Sequence, residues 1–255
     1  MASSHDYARK IAGLLAKAED DACTPEEAET FLAKAQEWCT KYSIDEALLA
    51  ATRGDDKAAE KIVMEAFEHK GTMRDGTVMI TFTIASENGC RSVQRKLSKR
   101  DYMLDVVGFE GDVARTKMLD ASLQVQAQTA LLAFNHENRD RLGCLSSSER
   151  HREKRQFLVS FSAGLKEQLA RARKAVVAQA TEAPGGESVA LVLRSKDQRV
   201  GDWVDETYGR LCHSTGHKYG GSLSASAAGR QAGQRADASC GSGRMPSAAR
   251  GALGR

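Results

Sequence analysis

Hydrophobic positions recur at helical intervals over most of the chain and at strand intervals over a short central stretch. In YARKIAGLLAKAED, Ile11, Leu14, Leu15 and Ala18 fall at i, i+3, i+4 and i+7, on one face of a helix. TPEEAETFLAKAQEWCTKYSI opens with Thr24 suited to an N-cap, Pro25 to the first helical position and Glu27 to the return bond of a capping box. Ala28, Phe31, Leu32, Ala35 and Cys39 then continue an apolar face, with Trp38 and Tyr42 at its edge. SIDEALLAA reads as a third, short helix capped by Ser43 and ended by Gly54-Asp55-Asp56. Residues 5–53 are therefore expected to form a helical module.

Past residue 60 the pattern changes. EKIVMEAFEH alternates Ile62, Met64 and Ala66 with charged neighbours, which predicts a strand. TVMITFTIASENGC is rich in β-branched residues, favouring a strand, while Val78, Phe82 and Ala85 keep helical spacing. That stretch, 76–89, stays open between the two. CRSVQRKL, the turn SKRD and YMLDVVGF predict a hairpin. EGDVARTKMLDASLQVQAQTALLAF predicts a long helix whose stripe is Val113, Met118, Leu119, Leu123, Leu131 and Leu132. NHENRDRLGCLSSSERHREK is a polar break, and a second long helix comes after it with Phe157, Phe161, Leu165 and Leu169 four apart. TEAPGGES reads as a linker, VALVLRS as a buried strand, and DQRVGDWVDETYGRL as a helix with Val200, Val204, Tyr208 and Leu211 on one side. After about His213 periodicity fades. The expected organisation is a helical module at 5–53, an α+β domain at 60–211 and a basic Gly/Ala/Ser/Arg-rich tail at 212–255. The fold class is α+β, mainly helical, with a small sheet and two long helices.

Charge sharpens this picture. The chain of 255 residues carries a formal net charge of +3. From Thr207 to Arg255 there are seven basic residues against Asp237 alone, a net of +6, so residues 1–206 carry −3. Such asymmetry points to a polyanionic partner. No segment is apolar enough for a signal peptide or a membrane span. The six cysteines are scattered without close pairs, as expected of reduced thiols in a cytoplasm. Aromatics are only 5% of residues, which favours helix packing through small residues over a thick β-core.

KIAGLLAKAEDDACTPEEAETFLAKAQEWCTKYSIDEALL resembles a helical module of unknown function common in actinobacteria and their phages. VVGFEGDVARTKML, FLVSFSAGLKEQL, ALVLRSKDQRVGDWV and AAGRQAGQRAD are similar to the domain that often accompanies it. The resemblance covers most of residues 7–240. It implies an intracellular, often phage-encoded protein and a helix at 76–89, and it implies no activity, cofactor or site residue.

Among the chemistry-bearing residues the basic ones come first. Arginine binds phosphate bidentately, and glycine and serine let backbone amides come close to a nucleic-acid strand. The nucleic-acid-binding candidates are thus Arg230, Arg235, Arg244 and Arg250 in the tail, with Arg95, Lys96 and Arg100 on the hairpin. In AAGRQAGQRAD a helix would align Ala228, Gly229, Ala232, Gly233 and Ala236 on a face able to approach another helix closely, with Arg230 and Arg235 outward. The competing reading takes these charges as ordinary solvated faces, and the absence of aromatics beyond Tyr219 argues against a dedicated single-strand binder. ERHREKR, 149–155, is a further basic group.

LCHSTGHKY offers Cys212, His213 and His217, with Cys240 beyond, as weak metal candidates: the H-x₃-H spacing suits zinc, but no C-x₂-C accompanies it. Gly108 and Gly111 lie at a helix start that could hold an anion, although Glu110 and Asp112 would repel it. Ser195 at a strand end, and Cys39 and Cys90, are weak nucleophiles, without a G-x-S-x-G elbow. The expected function is that of a non-enzymatic accessory protein binding nucleic acid, with no cofactor and no membrane partner. Docking onto a phage or host protein comes second, and an enzyme with an inter-domain site third.

Overall fold

The computed structural model describes residues 61–98, 101–182, 187–209, 211 and 220–236. The expected helical module at 5–53 and the linker core 183–186 lie outside these. Three strands, β1 (Ile62–Lys70), β2 (Arg91–Lys96) and β3 (Asp101–Phe109), form an antiparallel sheet in the order β1-β3-β2. Around it are α1 (Arg74–Glu87), α2 (Glu110–Glu137), α3 (Arg139–Gly143), α4 (Ser147–Glu182), α5 (Glu187–Tyr208) and α6 (Leu223–Gln234). The architecture is α+β and mainly helical.

The sheet topology resolves the open stretch. β1 pairs with β3 from Ile62↔Phe109 to Lys70↔Asp101, and β2 pairs with it from Arg91↔Val107 to Lys96↔Tyr102, both antiparallel. β1 and β2 are therefore parallel to each other, and parallel strands need a crossover of a dozen or more residues, usually a helix. Residues 71–90 supply it as α1, overriding the β-branched composition. Ile80 and Ile84 are fully buried, and Gly76 lies directly against Leu158 of α4. Gly89, at φ 79°, turns the chain out of α1 into β2.

Two other expectations are corrected. VALVLRS is helical, part of the continuous α5. A short apolar run cannot be assigned by periodicity alone, and here no turn residue separates it from DQRVGDWV. Lys196, Val200, Val204 and Tyr208 stand four apart and lie over the sheet: Val200 and Val204 are buried with Val93, Val107 and Phe109, and Lys196 Nζ sits 4.5 Å from the Phe109 ring centroid. Leu211 is exposed. The polar stretch at 135–154 is mostly helical. Ser146 and Glu149 form a reciprocal capping box at the start of α4: the Ser146 amide and hydroxyl donate to the Glu149 carboxylate at 2.9 and 2.6 Å, and the Glu149 amide donates to the Ser146 hydroxyl at 3.3 Å. These bonds hold the Glu149 carboxyl below its usual range.

The main core lies where α1, α2, α4 and α6 meet. It contains Ile80, Ile84, Leu119, Leu123, Phe157, Leu158, Phe161 and Leu165, with the Phe134 and Phe157 rings 4.9 Å apart. All four residues of the predicted α4 seam are buried. In α2, Val113, Leu119, Leu123 and Leu131 are buried, but Met118 and Leu132 are 49% and 68% exposed, because they lie on the opposite side of the helix from the core.

The central strand is buried from Leu104 to Phe109 and carries one acid there, Asp105, 1% exposed. Arg95 donates to both its carboxylate oxygens at 2.5 and 2.7 Å, and the Tyr208 hydroxyl donates to one at 2.9 Å. Burial, and then the Asp105 bond, push the Tyr208 phenol up to about 12. This carboxylate ties the end of α5 to the middle of the sheet. Tyr208→Phe is expected to lower unfolding free energy by about 1 kcal/mol in urea titrations at pH 7. Arg95→Ala should cost more than Tyr208→Phe, since it strips a buried carboxylate of its counter-charge.

Candidate functional site

The tail segment distinguished in the sequence by its small residues is α6, packed against α4 along the predicted face. A Cβ on Gly229 would collide with the Phe157 carbonyl, one on Gly233 with the Phe161 carbonyl, and one on Gly164 with the Arg230 carbonyl. Backbone meets backbone there, and only glycine leaves the room. The contacts run in register, Ser222 to Glu153, Ser226 to Ser160 and Gln234 to Glu167, so α6 runs parallel to α4.

Each end of α6 is fastened by a glutamate of α4. Ser222 caps the N-terminus by accepting from the Ala225 amide at 3.1 Å. Glu153, 6% exposed, receives the Ser222 amide and hydroxyl, both at 2.7 Å, and Arg141 at 2.9 Å. Burial pushes the Glu153 carboxyl up, but the Ser222 and Arg141 bonds outweigh it and hold the group below its usual range. At the other end Glu167 receives Gln234 at 2.7 Å and Arg230 at 2.5 Å, which likewise lower its pKa, Gln234 first.

This docking determines where the basic candidates stand. Arg230 is exposed but paired with Glu167, and Arg235 is exposed just past the end of α6. Ala236 is buried, so the chain beyond it leaves from a fixed point on the body. One turn beyond Glu167, α4 presents exposed Arg171 and then Lys174, with Lys166 exposed before it. Arg173 instead donates to the Glu87 carbonyl at the end of α1. On the hairpin, Arg95 holds Asp105, and Lys96 is exposed on the edge strand β2. Arg100, Arg244 and Arg250 lie outside the described residues, as do Cys39, Cys212, His213, His217 and Cys240. The charge of LKEQLARARK is plain in the sequence; that its arginines come near the end of α6 is not, since it depends on α6 running parallel to α4.

The remaining chemical candidates are structural in their surroundings. Cys90 is buried beside Gly108, where a Cβ would stand 2.6 Å from its sulfur. Burial pushes its thiol up to about 12, so it stays protonated. Ser195 is exposed on α5 and not at a strand end. Asp112, in the first turn of α2, pairs with Arg115 at 3.0 Å and Lys196 at 3.5 Å, so a protein carboxylate already occupies the helix start considered for an anion. Among the described residues no three His, Cys, Asp or Glu side chains converge to hold a metal ion.

A polar network not foreseen from sequence links β1, α1 and α2. Thr81 donates to Asp120 at 2.6 Å, and Gln124 bridges the Thr77 carbonyl and the Thr81 hydroxyl. Burial raises the Asp120 pKa against the pull of these bonds. The Thr77 hydroxyl donates to the Arg74 carbonyl, so at His69 the ring Nδ1 is the donor to Thr77, at 3.1 Å, and Nε2 is left with a lone pair. Burial lowers the His69 pKa to about 4.

Comparison with known proteins adds one finding: residues 7–46 match a family described as "Protein of unknown function (DUF2786)". No curated protein and no solved structure matches the chain. Among the described residues no helix is long and apolar enough to cross a membrane.

The backbone contact between α4 and α6 can be tested at its glycines. Gly233→Ala should destabilise by about 2–3 kcal/mol in chemical denaturation, because two backbones must part. Gly220→Ala, whose new Cβ meets nothing within 4 Å, should be near neutral. Between pH 7 and pH 5 the unfolded chain takes up a proton at His69 that the folded chain, with its pKa near 4, refuses. Stability should therefore fall by about 1–2 kcal/mol over that interval, and His69→Gln should flatten that part of the pH profile.

Proposed function

We propose that this protein is a non-enzymatic accessory protein that binds nucleic acid through its C-terminal basic segment, with the second half of α4 as a supporting surface. The observation that carries the reading is the docking of α6. Bound at Gln234 to Glu167, it brings exposed Arg235 toward the part of α4 where Arg171 and then Lys174 are exposed, so charges distant in sequence come close together, and it begins a C-terminal segment whose sequence, from Thr207 on, carries a net +6. Arg235, Arg244 and Arg250 supply phosphate contacts from the tail. Arg230 contributes field more than contact, because Glu167 already holds it. Arg95 has a structural duty to Asp105, which leaves Lys96 and Arg100 as the hairpin's share. With few tail aromatics, affinity rests on phosphates and is weak in sequence preference. The accessory role in an actinobacterial or phage setting, and a cytoplasmic location, rest on the sequence resemblance.

The test is a titration of labelled duplex DNA, single-stranded DNA and RNA at several salt concentrations. It compares the full chain with a full-chain variant carrying Arg235→Ser, Arg244→Ser and Arg250→Ser. Binding should weaken, and the salt slope should drop by about 0.7–0.9 for each phosphate contact removed. Equal affinity and slope for both proteins, or no binding by either, would contradict the reading.

A further inference from the structure

The side of α2 that faces away from the core carries its own apolar seam. Met118, Val125 and Leu132 stand seven residues apart and are 49%, 60% and 68% exposed. Ala114, one turn before Met118, and Ala121, between Met118 and Val125, are also exposed and hold the alternate heptad position, which Gln128 continues. That is the spacing of a helix-packing seam, and its small residues permit close approach. The buried residues of α2, such as Leu119, Leu123 and Leu131, lie on its other side, so the seam is additional to the core.

The chain route indicates what covers it. The Glu110 amide, at the first residue of α2, donates to the Lys61 carbonyl at 3.1 Å. The segment preceding Lys61 therefore joins the body at the foot of this seam. Residues 47–60 can extend to about 45 Å, whereas Met118 to Leu132 spans about 21 Å of helix, so residues 7–46 reach all of it. Their sequence carries apolar helical faces, including Ile11, Leu14, Phe31 and Leu32. A segment of about 40 residues buries too little surface to be stable alone and needs something to pack on. Tethering beside the seam gives it an effective concentration of about millimolar, ahead of a second copy of the chain at ordinary concentrations.

We infer that residues 7–46 dock in cis on the Met118–Val125–Leu132 seam of α2. This docking is independent of the nucleic-acid reading.

A photo-crosslinking residue at position 125 of the full chain tests it. Mapping the adducts by mass spectrometry should find them within residues 7–46 of the same chain. Adducts joining two chains, or none within 7–46, would overturn it. Val125→Asp with Leu132→Asp in the full chain gives a second readout by thiol labelling. Cys39 should react at least tenfold faster than in the unchanged protein, while buried Cys90 remains unreactive and reports that the body is folded. Equal Cys39 rates in the two proteins would also overturn the inference. Should the double variant label at Cys90, the crosslink decides.

Discussion

The close approach of α4 and α6 is the contact on which the rest of the arrangement depends. Three glycines, Gly164, Gly229 and Gly233, let the two backbones touch, and side chains at the ends fix the register. The glycine face is too narrow to specify a position along α4 by itself. Glu153 does so at one end by holding the Ser222 cap, and Glu167 does so at the other by holding Gln234 and Arg230. Acidic side chains of α4 thus hold down a basic segment, and the core beneath, with Phe157, Phe161 and Leu165, is closed by α6 and the residue just past it through Ala225 and Ala236. A segment that looks like a loose basic end begins as part of the core.

The sheet contributes the opposite design. Its central strand is buried, and the one acid there, Asp105, is paired by Arg95 and Tyr208; on the neighbouring strand β1, buried His69 meets the Thr77 hydroxyl through Nδ1 alone. These groups tie α5 and α1 to the strands. Burial pushes the Cys90 thiol up to about 12 and the His69 imidazole down to about 4, so both are neutral near pH 7.

Legibility from sequence divides along physical lines. Where one face is buried and the other solvated, the pattern suffices: β1, the β2–β3 hairpin, the α4 seam and the small-residue face of α6 are all readable. Where tertiary context overrides local preference, it does not. VALVLRS is helical because α5 runs on unbroken to cover the sheet, and 76–89 is helical because parallel β1 and β2 demand a crossover. Met118 and Leu132 fall into the predicted core stripe because two apolar faces of α2 overlap in the same residue run. The Ser146–Glu149 capping box is visible as S-x-x-E, but it is hidden inside a stretch whose composition reads as a polar break. For the site, the outward arginines of α6 are legible. That exposed Arg171 and Lys174 follow on α4 just beyond its contact with Gln234 is not, since it needs the direction of α6 relative to α4.

Hydrogen exchange along the full-length chain tests most directly whether α6 is part of the folded body. The account predicts that amides of residues 226–234 exchange as slowly as those near Phe161 in α4 and through the same opening, because separating the two helices opens the core. Rapid exchange across α6 while the middle of α4 stays protected would contradict it.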